Sequence, residues 1–165
     1  MSHYFLVLLH HFGIIMGVFV GIAGLIIALY AIYCGLGLWM AQHVMAVERG
    51  EEALMDEDGQ TILDQLPSAH IEMMKHYYNG MPGIIWRFAF LCLVASIGCL
   101  LMNMQYAVHL FAIALGLDCL LFITYEKKKQ FLSQTSYAER LFDGVQYLAL
   151  LAALAILVWN NTHLV

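Results

Sequence analysis

Residues 84–125 read IIWRFAFLCLVASIGCLLMNMQYAVHLFAIALGLDCLLFITY. This stretch holds two long apolar segments that are separated only by the short polar break Asn103-Met104-Gln105. A helix needs about 20 apolar residues to cross the hydrocarbon core of a bilayer. Two such segments with so short a break between them predict a tight transmembrane hairpin, with spans at about 84–102 and 105–125.

The composition of the whole chain is also typical of a membrane protein. Of its 165 residues, 62% are hydrophobic and 12% are charged, whereas soluble domains carry about 25% charged and about 45–50% apolar residues. The length leaves room for one unit, so we expect a single membrane domain over residues 1–165. The predicted fold class is an all-α integral membrane protein, a bundle of four transmembrane helices. The net charge of −5 and the lack of a basic surface argue against a nucleic-acid partner.

Two further spans are predicted outside the hairpin. The apolar run over residues 5–40 is too long for one perpendicular span. The run could form one long tilted helix, but we favour a break near His10-His11-Phe12-Gly13, with an N-terminal interfacial segment before it and a span at about 13–40 after it. Ser136 and Glu139 have the spacing of an N-terminal capping box, which predicts that the last span covers about 137–159.

The polar segment 41–82 lies between the first two spans. Within it, the pattern from Ser68 to Tyr78 predicts a short amphipathic helix, which Asn79-Gly80 ends. Pro82 then falls near the first turn of the next span, where its missing N–H costs nothing.

The basic residues predict the orientation of the protein. All seven Lys and Arg residues lie in or beside the segments 41–82 and 126–136: Arg49, Lys75, Arg87, Lys127, Lys128, Lys129 and Arg140. By the positive-inside rule both segments are cytoplasmic. Four spans then place the N- and C-termini outside. Because the N-terminus does not resemble a transit peptide, we expect the membrane to be a bacterial inner membrane.

A stripe of small residues runs along the first span. Its members recur every three or four residues and so share one helical face: Gly13, Gly17, Gly21, Gly24, Ala28, Ala31 and Gly35. Small residues allow the close backbone approach by which membrane helices associate. The stripe predicts a helix-packing interface, either within the chain's own bundle or with another subunit. A pore lined by glycine is a third interpretation.

Two ionisable residues interrupt the apolar hairpin. Arg87 and Asp118 lie at similar depths on the two arms of a hairpin that turns at residues 103–104, which predicts an intramembrane ion pair. Two other interpretations compete with it. The Arg87 side chain could extend to lipid phosphates, and Asp118 could take part in proton or ion transfer.

Three histidines are candidates for a cofactor site. His10 and His11 near the start of the first span and His109 near the hairpin turn all map to the outer side. Facing imidazoles could ligate haem b, and histidines with nearby methionines could hold copper. The simpler interpretation is that these are interfacial side chains without a ligand.

No catalytic motif is specific enough to name a reaction: the chain has no phosphate-binding loop, nucleophile elbow or metalloprotease helix. We therefore expect no catalytic activity of its own. The predicted function is that of a non-catalytic subunit or an assembly or scaffold factor of a larger membrane complex. Its partners would be the lipid bilayer and other membrane protein subunits or further copies of itself. The alternatives are a haem- or copper-bearing membrane redox subunit and a small channel or transporter component that uses Asp118.

Overall fold

The computed structural model describes residues 3–50, 66–124 and 136–163, and these residues form helices joined by short turns, with no strand among them. In chain order the helices are α1 His3–Glu48, α2 Ser68–Tyr78, α3 Gly80–Leu101, α4 Tyr106–Thr124 and α5 Tyr137–His163. Four of them, all except α2, are long and apolar enough to cross a membrane. The prediction of an all-helical chain with four helices able to span a membrane is confirmed for the described residues.

Helix α1 is continuous over 46 residues. The break expected near His10-His11-Phe12-Gly13 does not occur, because a single glycine costs a helix only about 1 kcal/mol relative to alanine and apolar residues follow on both sides. At 1.5 Å per residue α1 is about 70 Å long, more than twice the hydrocarbon thickness of about 30 Å. The helix must therefore extend beyond the apolar part of the bilayer.

Helices α1 and α3 pack in opposite directions. A Cβ added to Gly24 of α1 would lie 2.9 Å from Cδ2 of Leu100 near the end of α3, and one added to Gly37 would lie 3.3 Å from Trp86 near the start of α3. The beginning of α1 therefore lies beside the end of α3. We name this end of the bundle, which carries the turn 102–105, the hairpin end.

The turn at the hairpin end is short, as predicted. Asn103 takes a left-handed conformation with φ 54°, which asparagine tolerates better than most residues. Near this turn, the Ser96 hydroxyl of α3 donates a 2.8 Å hydrogen bond to the carbonyl oxygen of Ala107 at the start of α4. Ser96 is fully buried, so this bond satisfies its hydroxyl where no water can reach it.

Helix α2 lies at the opposite end, which we name the α2 end. Lys75 of α2 forms an ion pair with Glu48 at the end of α1. The Tyr77 hydroxyl donates a 3.4 Å hydrogen bond to the carbonyl oxygen of Leu121 in the last turn of α4. Helix α3 follows α2 after one residue, Asn79. The predicted bounds of this short amphipathic helix are confirmed, and α2 contacts the ends of three long helices.

A capping box starts α5, as the sequence predicted. The Ser136 backbone N–H donates to Oε2 of Glu139 at 2.6 Å, and the Glu139 backbone N–H donates to Oγ of Ser136 at 3.2 Å. These two bonds satisfy backbone N–H groups at the start of the helix. The main core of the bundle is formed where α1, α3, α4 and α5 meet, around Ile27, Leu93, Phe111 and Leu150.

Candidate functional site

Asp118 is the centre of a polar cluster that joins three helices. The Tyr30 hydroxyl of α1 and the Tyr147 hydroxyl of α5 each donate a 2.6 Å hydrogen bond to its Oδ2 atom. Such lengths are typical of hydrogen bonds from a hydroxyl to a carboxylate. We name Tyr30, Asp118 and Tyr147 the Asp118 cluster. It connects α1, α4 and α5 inside the membrane-spanning part of the bundle.

The helical periodicity of each element positions these side chains. Asp118 continues the inward face of α4, on which Phe111, Ala114 and Leu115 are buried. Tyr147 precedes Leu150 on the face of α5 that packs in the core, and Tyr30 follows Ile27 on α1. A carboxyl at this position would be costly in hydrocarbon without donors. The two phenols supply them.

Arg87 does not pair with Asp118. Its guanidinium lies 4.4 Å from the ring centroid of Tyr78 in a cation–π contact, and the side chain is exposed. The two residues do lie at similar depth, but Arg87 precedes the buried Ala89 by two residues and so points about 200° away from it. The expected ion pair is therefore replaced by two separate arrangements, an Arg–Tyr contact and a carboxyl held by phenols.

A small cavity adjoins the cluster between α1, α3 and α4. It has room for about one water molecule. Tyr30 and Asp118 form part of its wall together with Cys34, Trp86, Ala89, Phe90, Leu93 and Ala114. Oδ2 of Asp118 receives both phenols, and Oδ1 has no hydrogen bond among the contacts of the described residues. Asp118 thus has one carboxyl oxygen without a hydrogen bond among the described residues, and it also lines a cavity.

Polar side chains also lead from the Asp118 cluster to the α2 end. Glu139, Asp143 and Tyr147 follow one another on α5 at intervals of four residues and so share one face. Tyr33 on α1 lies within electrostatic range of both Asp143 and Asp118. His70 of α2 lies within electrostatic range of Glu139 and Asp143. We name Glu139, Asp143 and Tyr33 the polar line. It places acidic and phenolic groups between the α2 end and Asp118.

The small-residue stripe of α1 divides into two parts. Next to Gly24 and Gly35 lie side chains of α3, Leu100 at 2.9 Å and Phe90 at 3.4 Å from the position of an added Cβ. Next to Gly17 and Gly21 an added Cβ would meet nothing within 4 Å.

The other members of the stripe differ in exposure. Ala31 is buried and Ala28 is half-buried. The surroundings of Gly13 lie outside the described residues. The part of the stripe nearer the α2 end thus packs within the bundle, and the part nearer the hairpin end faces outward.

The histidine candidates do not converge on a described metal site. His10 and His11 lie on α1, but their side chains are outside the described part of the structure. His109 is exposed in the first turn of α4. Among the residues whose side chains the structure describes, which do not include His10 and His11, no group of three or more His, Cys, Asp or Glu is placed to hold a metal ion.

No known protein family matches the chain, and no curated protein or solved structure is similar to it. Its chemistry must be inferred from its own geometry. A carboxyl with two phenol donors inside a membrane can do two things: it can hold three helices together, and it can bind and release a proton.

Proposed function

We propose that this protein is a non-catalytic subunit or assembly factor of a larger membrane complex, and that α1 binds the partner. The observation that supports the proposal is the outward-facing part of the stripe, at Gly17 and Gly21, where nothing packs within 4 Å. This surface contains the sequence Gly-Val-Phe-Val-Gly. Two glycines four residues apart form the pattern at which two membrane helices approach most closely.

The arrangement inside the bundle supports the same proposal. Where α1 runs beside α3, side chains of α3 pack over two glycines of the stripe, Gly24 and Gly35. Lipid tails are as apolar as leucine, so helices gain from contact with each other mainly through close packing. A second helix could pack at Gly17 and Gly21 as α3 packs further along. That helix would belong to another membrane subunit or to a second copy of this chain.

We predict that Gly21→Leu releases the partner without destabilising the bundle itself. A Cβ added at Gly21 meets nothing within 4 Å, so thermal stability in mild detergent should not fall. At a close helix contact it should cost about 1–3 kcal/mol, which weakens association about 5- to 150-fold. The measurement is the amount of protein that co-purifies in mild detergent, identified by mass spectrometry.

Gly116→Leu is the matched control. Gly116 is an exposed glycine on α4, also without contacts at an added Cβ, and it lies outside the stripe. Its substitution should leave co-purification unchanged. Equal co-purification from the wild-type, Gly21→Leu and Gly116→Leu proteins would contradict the proposal and leave the stripe as a lipid-facing surface.

We further propose that the α2 end faces the cytoplasm of a bacterial cell and that both termini lie outside the inner membrane. The support is the placement of all seven Lys and Arg residues in or beside the segments 41–82 and 126–136, because positive charge is retained on the cytoplasmic side. Helix α2, which carries Lys75, packs at that end of the bundle.

We predict that a membrane-impermeant maleimide labels Gln105→Cys but not Gln130→Cys when it is added to intact cells. Gln105 belongs to the turn at the hairpin end, and Gln130 to the basic segment 126–136. Both variants begin from glutamine and carry the same native cysteines, so each controls for the other. Labelling of Gln130→Cys from outside would reverse the proposed orientation.

A further inference from the structure

We propose that Asp118 is a reversible proton-binding site, and that it exchanges its proton with only one face of the membrane, the face at the α2 end. The proposal does not depend on the partner inferred above. It rests on three observations: the absence of a cation next to Asp118 among the described residues, the carboxyl oxygen that accepts no hydrogen bond among them, and the unequal polarity of the two halves of the bundle.

No cation faces Asp118 from the helices described around it. The titratable groups near it are Tyr30, Tyr33 and Cys34 on α1, Cys119 on α4, and Tyr147 on α5, with Tyr77 of α2 near Tyr147. Helix α3 contributes only uncharged side chains to the adjoining cavity: Trp86, Ala89, Phe90 and Leu93. An ionised carboxylate in hydrocarbon has a large desolvation cost, and among the described residues only hydrogen bonds offset it. A proton is the simplest ligand that removes the charge.

The geometry leaves a place for that proton. Both phenols donate to Oδ2, so the proton binds to Oδ1, the oxygen without a hydrogen bond among the described residues. The cavity that Asp118 helps to line has room for about one water molecule. On binding, an O–H bond forms at Oδ1 and the carboxylate loses its negative charge, while the bonds from Tyr30 and Tyr147 to Oδ2 remain. On release the proton passes to water, and no other bond changes.

A proton fits this site better than a metal cation. Hard cations take about six or more oxygen ligands directed at one point. In the Asp118 cluster the two phenol oxygens instead donate their hydrogens to a single carboxylate oxygen. No set of three metal-ligating side chains occurs among the described residues.

Access differs between the two ends of the bundle. Toward the α2 end, the polar line of Glu139, Asp143 and Tyr33 lies between Asp118 and the end of the bundle. Asp118 is about 9 Å along the helix from Thr124, the last residue of α4. Toward the hairpin end the inward-facing core residues are apolar and buried: Ala23, Ile27, Phe111, Leu150, Ala153 and Leu157. The one buried polar side chain described there, Ser96, has its hydroxyl bonded to the carbonyl oxygen of Ala107. Protons move along polar groups and water, so the path runs to the α2 end.

Labelling with a lipid-soluble carbodiimide in sealed membrane vesicles tests the proposal. The reagent reacts with a protonated carboxylic acid, whose O–H adds across a C=N bond of the reagent without a leaving group. The modified residue is identified by mass spectrometry of peptides, so the wild-type protein is sufficient. Right-side-out and inverted vesicles are prepared with different impermeant buffers inside and outside.

We expect the labelling rate at Asp118 to follow the pH on the side of the α2 end only. Above the midpoint of protonation, the rate should fall about tenfold for each unit of pH on that side. The pH on the other side should have no effect. Added Na⁺ should not protect Asp118.

Three results would overturn the proposal. Labelling that follows the pH on the hairpin side would refute the assigned path, and protection by Na⁺ would indicate a metal-cation site. The third result combines two absences. If Asp118 is never labelled, and if the wild-type protein shows no infrared carbonyl band of a protonated acid that disappears in Asp118→Asn, the carboxylate is permanently ionised. Asp118 would then serve only to connect helices.

Discussion

Asp118→Leu is expected to destabilise the bundle by about 2–6 kcal/mol, because it leaves the Tyr30 and Tyr147 hydroxyls buried without an acceptor. Each orphaned hydroxyl costs about 1–3 kcal/mol. Both hydroxyls donate to the same oxygen of Asp118, so one substitution removes both bonds at once. The measurement is thermal unfolding in mild detergent, followed by circular dichroism.

Removing all three polar groups should recover most of that loss. In the triple variant Tyr30→Phe, Asp118→Leu, Tyr147→Phe no polar atom of the cluster is left without a partner, and replacing a complete buried polar network is typically much milder than breaking it. The triple variant should therefore be more stable than Asp118→Leu alone. If the three changes are instead additive, the hydroxyls do not depend on Asp118.

His109→Leu serves as the control for a polar-to-leucine change on the same helix. His109 is exposed on α4, and its substitution should change the free energy of unfolding by no more than about 0.5 kcal/mol. A loss as large as that of Asp118→Leu would mean that α4 tolerates no leucine substitution of this kind. The loss in Asp118→Leu could then not be attributed to the hydrogen bonds of the Asp118 cluster.

The ion pair between Arg87 and Asp118 was expected from the depth of the two residues in the membrane alone. Whether two side chains meet also depends on the direction in which each points from its helix. A hairpin places residues of its two arms at matching levels, which the sequence reveals. The direction of each side chain depends on which face of the helix is buried. Arg87 points away from the inward face on which Ala89 and Leu93 are buried, and which face is buried depends on packing against α1 and α4.

The phenol partners of Asp118 were missed for a different reason. Tyr30 and Tyr147 lie in apolar spans, where a tyrosine looks like any other large side chain in a count of hydrophobic residues. A signal was present, since a tyrosine hydroxyl deep in a span needs a hydrogen-bond partner, and Asp118 was the one acid in the central spans. Matching the three residues required knowing that α1, α4 and α5 meet at that level.

Local features of the sequence predicted the structure best. The capping box at Ser136 and Glu139 and the end of α2 before Asn79 depend on neighbouring residues only, and the structure confirms both. The expected break at His10-His11-Phe12-Gly13 failed because it was inferred from the thickness of a bilayer. Nothing in those residues stops a helix from continuing past the membrane surface.

Gly83→Ala is expected to destabilise the α2 end by about 1–3 kcal/mol or more. A Cβ at Gly83 would overlap the carbonyl oxygen of Tyr78 at the end of α2. The clash is with backbone, which cannot rotate aside as a flexible side chain can. The chain turns tightly here, with Asn79 extended at ψ 150° and Gly80 at φ 61°, and the Gly83 N–H donates to the carbonyl oxygen of Asn79 at 3.3 Å. To admit the methyl group, α2 must move away from α3.

Gly98→Ala on the same helix separates this effect from the general cost of changing a glycine. An added Cβ at Gly98 meets nothing within 4 Å, and alanine favours a helix over glycine by about 1 kcal/mol, so this control should be neutral or stabilising. Hydrogen exchange read by mass spectrometry should show faster exchange in α2 for Gly83→Ala alone, because displacement of α2 also breaks the ion pair between Lys75 and Glu48. Unchanged exchange in α2 together with wild-type thermal stability would show that the corner between α2 and α3 accommodates a methyl group, and that Gly83 is not required there.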